Sequence, residues 1–197
     1  MYRGIEVKKY VGVFVIVFIV YMLGDSIYTE MNKDKTPGKA KRIECQKKVV
    51  TFERIFDNTQ IQEAQNQIRE GKINFSSDIE KAVYTQSKLF EYFPLKKADV
   101  IFKDKLFSYA EKQEENKVKK DDYILSYYIY ENDVNDPGKK TKKSKLYAGY
   151  IVFEVKNKDN KTIYKVQTDF MNHAGDDLKE SLECTVESFM TYKNKGK

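Results

Sequence analysis

The chain contains no tryptophan, a single histidine, two cysteines and three prolines in 197 residues. His173 stands alone, with no second histidine and no spaced set of ligands, so neither a metal centre nor histidine-based catalysis is expected. There is no glycine-rich phosphate loop, no G-x-S-x-G and no H-E-x-x-H, and the chemistries those motifs carry lose their support. Cys-x-x-Cys is missing as well, which removes the usual dithiol redox motif. No catalytic residue and no cofactor is expected. So few prolines also argue against long structureless stretches beyond the first linker.

A strong excess of one charge is lacking too. The net charge is +6, and Arg3, Lys8 and Lys9 supply part of it before the first apolar run. What remains is mild and scattered, so nucleic acid is not an expected partner. Charged residues reach 34%, the level of many disordered chains, yet aromatics reach 14% with 15 tyrosines, and that much aromatic surface needs a core.

One long apolar run is present, at 10–23 (YVGVFVIVFIVYML). The uncharged stretch between Lys9 and Asp25 is 15 residues. That is shorter than the roughly 20 needed to span a bilayer and at the long end of the roughly 7–15 of a signal-peptide core. Arg3, Lys8 and Lys9 precede it and Asp25 and Glu30 follow, which is the positive-inside pattern. Tyr10, Tyr21 and Tyr28 flank it at headgroup depth, while Gly24 and Ser26 match a cleavage site poorly. The run reads as a retained inner-membrane anchor or as a cleaved leader, with a buried soluble helix as the remaining alternative. Either of the first two exports the bulk of the chain to the periplasm. The expected layout is a cytoplasmic tail and anchor at 1–28, a linker at 29–41 and a periplasmic domain at 42–197.

Within the domain, Cys45, Val49, Phe52 and Phe56 fall on one face of a helix predicted over 41–58, which either extends through Ile61, Ala64 and Ile68 to a stop at Gly71 or breaks at Asn58-Thr59. Ser77 and Glu80 form a capping-box signature, predicting a second helix with Ile79, Val83, Gln86, Phe90 and Phe93 on one face and Pro94 at its end. Within 96–115, Ala98, Phe102, Leu106, Tyr109 and Ala110 suit a third helix, with a strand opening at 100–102 as the alternative. After Asp121 the period changes to two, and strands are expected at 123–130, 146–155 and 162–170, the last two joined by a turn at 158–161. A closing helix over 176–192 carries Leu178, Leu182, Val186 and Phe189 on one side and small residues, Ser181, Cys184, Ser188 and Thr191, on the other. The fold class is α+β: helices packed on a three- to four-stranded antiparallel sheet, with a C-terminal helix.

Two cysteines in an exported chain suggest one disulfide. Cys45 on the first helix and Cys184 on the small-residue face of the last are the pair, with free thiols or a redox role as the alternatives. The loop 132–145 carries Lys139, Lys140, Lys142, Lys143 and Lys145. These are candidates for gripping anionic lipid, cell-wall carboxylates or an acidic protein face, or else they form a solvated tip that blocks edge pairing. Tyr128 and Tyr130, with Tyr127, Tyr147 and Tyr150, are candidates for a contact surface, since tyrosine supplies rigid amphipathic area.

In layout (inside tail, single anchor, stalk, helices, antiparallel sheet, closing helix) the chain resembles two groups of proteins. One is the NTF2-like periplasmic part of secretion-channel subunits of the VirB8-like type. The other is the small periplasmic scaffold proteins that build disks around bacterial flagellar motors. The resemblance is architectural, and no motif carries a functional residue across. It implies a non-enzymatic structural component of a cell-envelope assembly, contacting other envelope proteins and copies of itself, with the inner membrane reached through 10–23. The alternative is a binding module for cell-wall polymer, anionic lipid or a small ligand.

Overall fold

In a computed structural model, residues 42–111, 123–142 and 145–193 are described. The candidate anchor, the linker and Lys143 lie outside them. After one helical turn, α1 (Cys45–Lys48), come strand β1 (Thr51–Ile55), helix α2 (Asn58–Arg69) and strand β2 (Phe75–Glu80). A second short turn, α3 (Leu89–Tyr92), leads into α4 (Leu95–Phe107). Strands β3 (Tyr123–Glu131), β4 (Gly149–Asn157) and β5 (Thr162–Phe170) follow, and helix α5 (Leu178–Met190) closes the chain.

The strands form one five-stranded sheet in the order β1-β5-β4-β3-β2. β3, β4 and β5 make the antiparallel meander that the alternating pattern predicts. Their hairpin turn lies where expected: the Asn160 amide donates to the Asn157 carbonyl at 2.9 Å, with Asn160 at φ 59°, a conformation asparagine tolerates better than most residues. The closing helix also matches. Its apolar stripe, Leu178, Leu182, Val186 and Phe189, is fully buried.

The first half departs from expectation, and the sheet is mixed with five strands instead of antiparallel with three or four. The helix predicted over 41–58 survives only as α1. Residues 51–55 pair antiparallel with β5 instead, and Phe52 and Phe56, expected on a buried helix face, are 59% and 57% exposed. The Asp57 carboxylate then starts α2 by accepting the Thr59 amide at 2.8 Å, and Gly71, at φ 76°, ends it. The capping-box helix is overturned too. Residues 75–80 are an edge strand parallel to β3, so Ser77 and Glu80 cap nothing. Pairing with a strand fifty residues on outweighs a local signal worth about 1 kcal/mol. Pro94 sits before α4, not after a long helix.

Helices α2, α4 and α5 cover one face of the sheet with Ile61, Ile68, Phe102, Leu106, Leu182 and Phe189. Aromatic rings join the layers: Phe102 stacks on Tyr127 at 4.4 Å and meets Phe75 and Phe153 at 5.2 and 5.3 Å. Phe189 meets Phe153 and Tyr164 at 5.6 and 5.0 Å. Cys45 and Cys184 are disulfide-bonded with Cα atoms 5.6 Å apart, tying α1 to α5, and Gln46 donates to the Ser188 hydroxyl beside the bond at 3.0 Å. The small-residue stripe of α5 therefore admits α1 on one side. On the other, the hydroxyl groups of Thr185 and Thr168 pair with the sheet at 3.0 Å. Among the described residues no helix is long and apolar enough to cross a membrane.

Candidate functional site

Strand parity divides the tyrosines between two faces. Tyr123 and Tyr127 point into the core, 5% and 2% exposed. Each sends its hydroxyl to a carboxylate at the margin, Glu63 at 3.0 Å and Asp99 at 2.6 Å. Tyr128 and Tyr130 point the other way, onto the face that α2, α4 and α5 leave open. Tyr127, expected among the contact tyrosines, is therefore a core residue.

On the open face, backbone register builds rows across the sheet. One row runs Phe52–Gln167–Val152–Tyr128–Asp78. The next runs Asp169–Tyr150–Tyr130–Glu80. Tyr130 and Tyr150 stack at 4.6 Å, and Tyr150 meets Tyr128 and Tyr147 at 6.3 Å each. The four rings are half-buried, and burial pushes the phenols of Tyr128, Tyr147 and Tyr150 above their ordinary value. They are neutral hydrogen-bonding groups at physiological pH. Val152, between Gln167 and Tyr128 in register, is 2% exposed and is the well-covered floor of this face.

Beside the cluster, a concavity of about 340 Å³ opens toward β2, lined by Ser76, Asp78, Glu80, Ser126, Tyr128 and Glu154 among others. Glu154 is held by Lys165 at 2.6 Å and Lys156 at 3.7 Å. The Asp78 carboxylate accepts the amide of Ile79 at 2.8 Å. Burial raises the Asp169 carboxyl, and a hydrogen bond from Gln167 at 2.8 Å partly counters this. The result is an aromatic centre with a polar rim. Such a surface can seat a folded partner, because the rings give rigid contact area and the rim gives directional hydrogen bonds.

The lysine loop does not act as one cluster. Lys139 folds back onto the sheet, its ammonium 5.3 Å from the centre of the Tyr130 ring and 3.1 Å from the Tyr130 hydroxyl, and it also reaches the Asn132 amide oxygen. Lys140, Lys142 and Lys145 are exposed. The structure thus joins Lys139 to Tyr130, which stacks on Tyr150 beside Tyr128, and leaves Lys140, Lys142 and Lys145 on the loop.

Sequence reasoning missed the carboxylates that hold this end of the sheet together. Asp133 accepts the Val83 amide at 2.6 Å, the Tyr84 amide, the Thr85 hydroxyl at 2.7 Å and the Asn135 amide at 3.3 Å. Burial opposes the charge, but these donors outweigh it and hold the carboxyl down at about 2. Glu131 accepts from the amides of Ala82 and Leu89 at 3.1 and 3.4 Å. Asp177 stands at the N-cap position of α5, yet its oxygens accept the Met171 and Asn172 amides of the preceding loop at 2.6 and 3.0 Å. The only sequence signal for these clamps is the placement of the acids at element boundaries, Glu131 as the last residue of β3, Asp133 two residues beyond it and Asp177 just before α5, where loop amides need acceptors. His173 is exposed on the β5–α5 loop. Among the described residues no three His, Cys, Asp or Glu side chains are grouped as a metal site.

No family model matches the chain, and no curated protein matches it. Solved structures of PelC from Paraburkholderia phytofirmans, both described as dodecamers, are similar at a low level. One is 11% identical, with 72% of this chain and 96% of that one covered at a TM-score of 0.35. The other, a single-residue variant, is 8% identical, with 73% and 95% covered at a TM-score of 0.33.

Proposed function

We propose that this chain is a non-enzymatic contact subunit of a cell-envelope assembly, exported to the periplasm and docking a protein neighbour on the open face of its sheet. The observation that carries this reading is the four-tyrosine cluster, Tyr128, Tyr130, Tyr147 and Tyr150, gathered on a sheet face without a covering helix among the described residues. Export is supported by the apolar run at 10–23 with its basic flank, and the Cys45–Cys184 bond fits an oxidising compartment. The polar rim fits a protein partner better than a lipid tail, because Asp78, Glu80 and Asp169 border the rings and would lose hydration against hydrocarbon.

The test is the native mass of the detergent-extracted protein, wild type against Tyr128→Asp with Tyr150→Asp. Wild type is expected in a complex larger than one chain, and the double variant, unchanged in thermal midpoint, is expected to release it. A wild-type chain that extracts as a lone monomer would contradict the proposal.

A further inference from the structure

Two loops meet at the end of the sheet where β2 and β3 stop and β4 begins. Asp133 and Glu131 pin residues 82–85 and 89 of the first loop to the base of the second, through the hydrogen bonds described above. The pinned surface displays apolar groups that a solvated tip does not require: Val83 is 84% exposed, Tyr84 62% and Leu146 66%. The same two loops carry four exposed lysines, Lys81, Lys140, Lys142 and Lys145. None of the four is ion-paired to another described residue.

Within the β3–β4 loop the acids do not cancel this charge, and Glu80, exposed beside Lys81, belongs to the open face of the sheet. Asp133 and Glu131 turn their oxygens inward to loop amides, and Asp136 accepts the Gly138 amide at 2.8 Å within its own turn. From Pro137 to Ala148 there is no acidic residue at all. Apolar side chains at a tip, on loops that also carry exposed cations and are pinned at their base, are what an anionic bilayer surface selects. The ammonium groups meet the headgroup phosphates while Leu146, Val83 and Tyr84 enter the interfacial layer.

We propose that this end of the sheet, with Lys81, Val83 and Tyr84 on one loop and Lys140, Lys142, Lys145 and Leu146 on the other, is a membrane-surface contact for anionic phospholipid. The contact is separate from the tyrosine face: it uses other residues, and it orients the domain against a bilayer while the sheet face meets its protein neighbour.

The full chain carries the apolar run at 10–23, so bulk partition into vesicles would not isolate the loops. The readout is instead the rate of amine acylation at individual lysines, measured by mass spectrometry. The chain is held with pure phosphatidylcholine vesicles or with an equimolar mixture of phosphatidylcholine and phosphatidylglycerol. Lys158 and Lys161, exposed on the turn at the other end of the sheet, serve as internal controls. Each lysine at an anionic surface gains a partition advantage of about fivefold. Lys81, Lys140, Lys142 and Lys145 are therefore expected to slow several-fold with phosphatidylglycerol and not with phosphatidylcholine, while Lys158 and Lys161 keep their rates. Substituting Val83→Ser with Leu146→Ser is expected to remove most of that protection. Equal rates on both vesicles, or equal slowing of Lys158 and Lys161, would overturn the proposal. Protection by soluble polyglutamate as strong as that by the anionic vesicles would assign the loop to a polyanionic partner and likewise overturn it.

Discussion

Gly149 opens β4 opposite Glu131, and a Cβ there would lie 2.1 Å from the Tyr130 carbonyl oxygen and 2.3 Å from the Phe170 ring. Neither obstacle can swing away, since one is backbone and the other a fully buried ring. Gly149→Ala is therefore expected to cost about 3 kcal/mol or more, at the upper end of overpacking, and a denaturant titration reads it directly. At Tyr127 the buried ring is fixed by a hydroxyl bond to Asp99. Tyr127→Phe keeps the ring and loses that charge-assisted bond, an expected loss of about 1.5–3 kcal/mol in the same titration. Asp133 gives a pH dependence with a definite sign. Its folded carboxyl is depressed to about 2 from an ordinary value of about 3.9, so its contribution is present above that ordinary value and fades as pH falls toward the folded one. Wild type is expected to lose stability between about pH 4 and pH 2. Asp133→Asn is expected to be less stable at neutral pH and to show a shallower loss across that window; parallel profiles would contradict the clamp.

At the scale of elements, what the sequence made legible and what it hid follow from where each element lies. The meander β3–β4–β5 and helix α5 are central and half-covered, so burial prints its period on the residues: Leu125, Tyr127 and Ile129 alternate, and Leu178, Leu182, Val186 and Phe189 recur at helical spacing. β1 and β2 are edge strands of five and six residues. Their burial alternates only between half-buried and exposed, and Phe75-Ser-Ser-Asp-Ile-Glu80 includes Asp78 and Glu80, residue types poor in strand preference. Local helix signals filled the gap, although partners far along the chain decide the outcome. The open face was legible only in part for the same reason. Tyr128, Tyr130 and Tyr150 come from strands the pattern exposes, whereas Asp78, Glu80 and Phe52 come from strands it conceals. The disulfide was legible because both cysteines lie on elements that tolerate close approach, α1 and the small-residue side of α5. Since the bond spans 139 residues, Cys45→Ser with Cys184→Ser is expected to lower stability by up to about 4–5 kcal/mol. Reductant should shift the wild-type unfolding midpoint toward that of the double variant and leave the variant unmoved.

At the scale of the molecule, a rigid sheet presents two surfaces of different character. One is aromatic with a polar rim, fit for a protein partner; the other is a tip at the end of the strands whose loops carry exposed lysines and apolar side chains. Helices α2, α4 and α5 stiffen the sheet from behind, so a charge placed on the tyrosine face changes contact without removing core. Photo-crosslinking in intact cells tests the central claim most directly, with p-benzoylphenylalanine replacing Tyr128 or Tyr150 on the open face and Lys158 at the far turn as the control position. Discrete protein adducts from positions 128 and 150, and none from 158, are the predicted result. Positions 128 and 150 yielding no protein adduct, or the same adducts as 158, would contradict it.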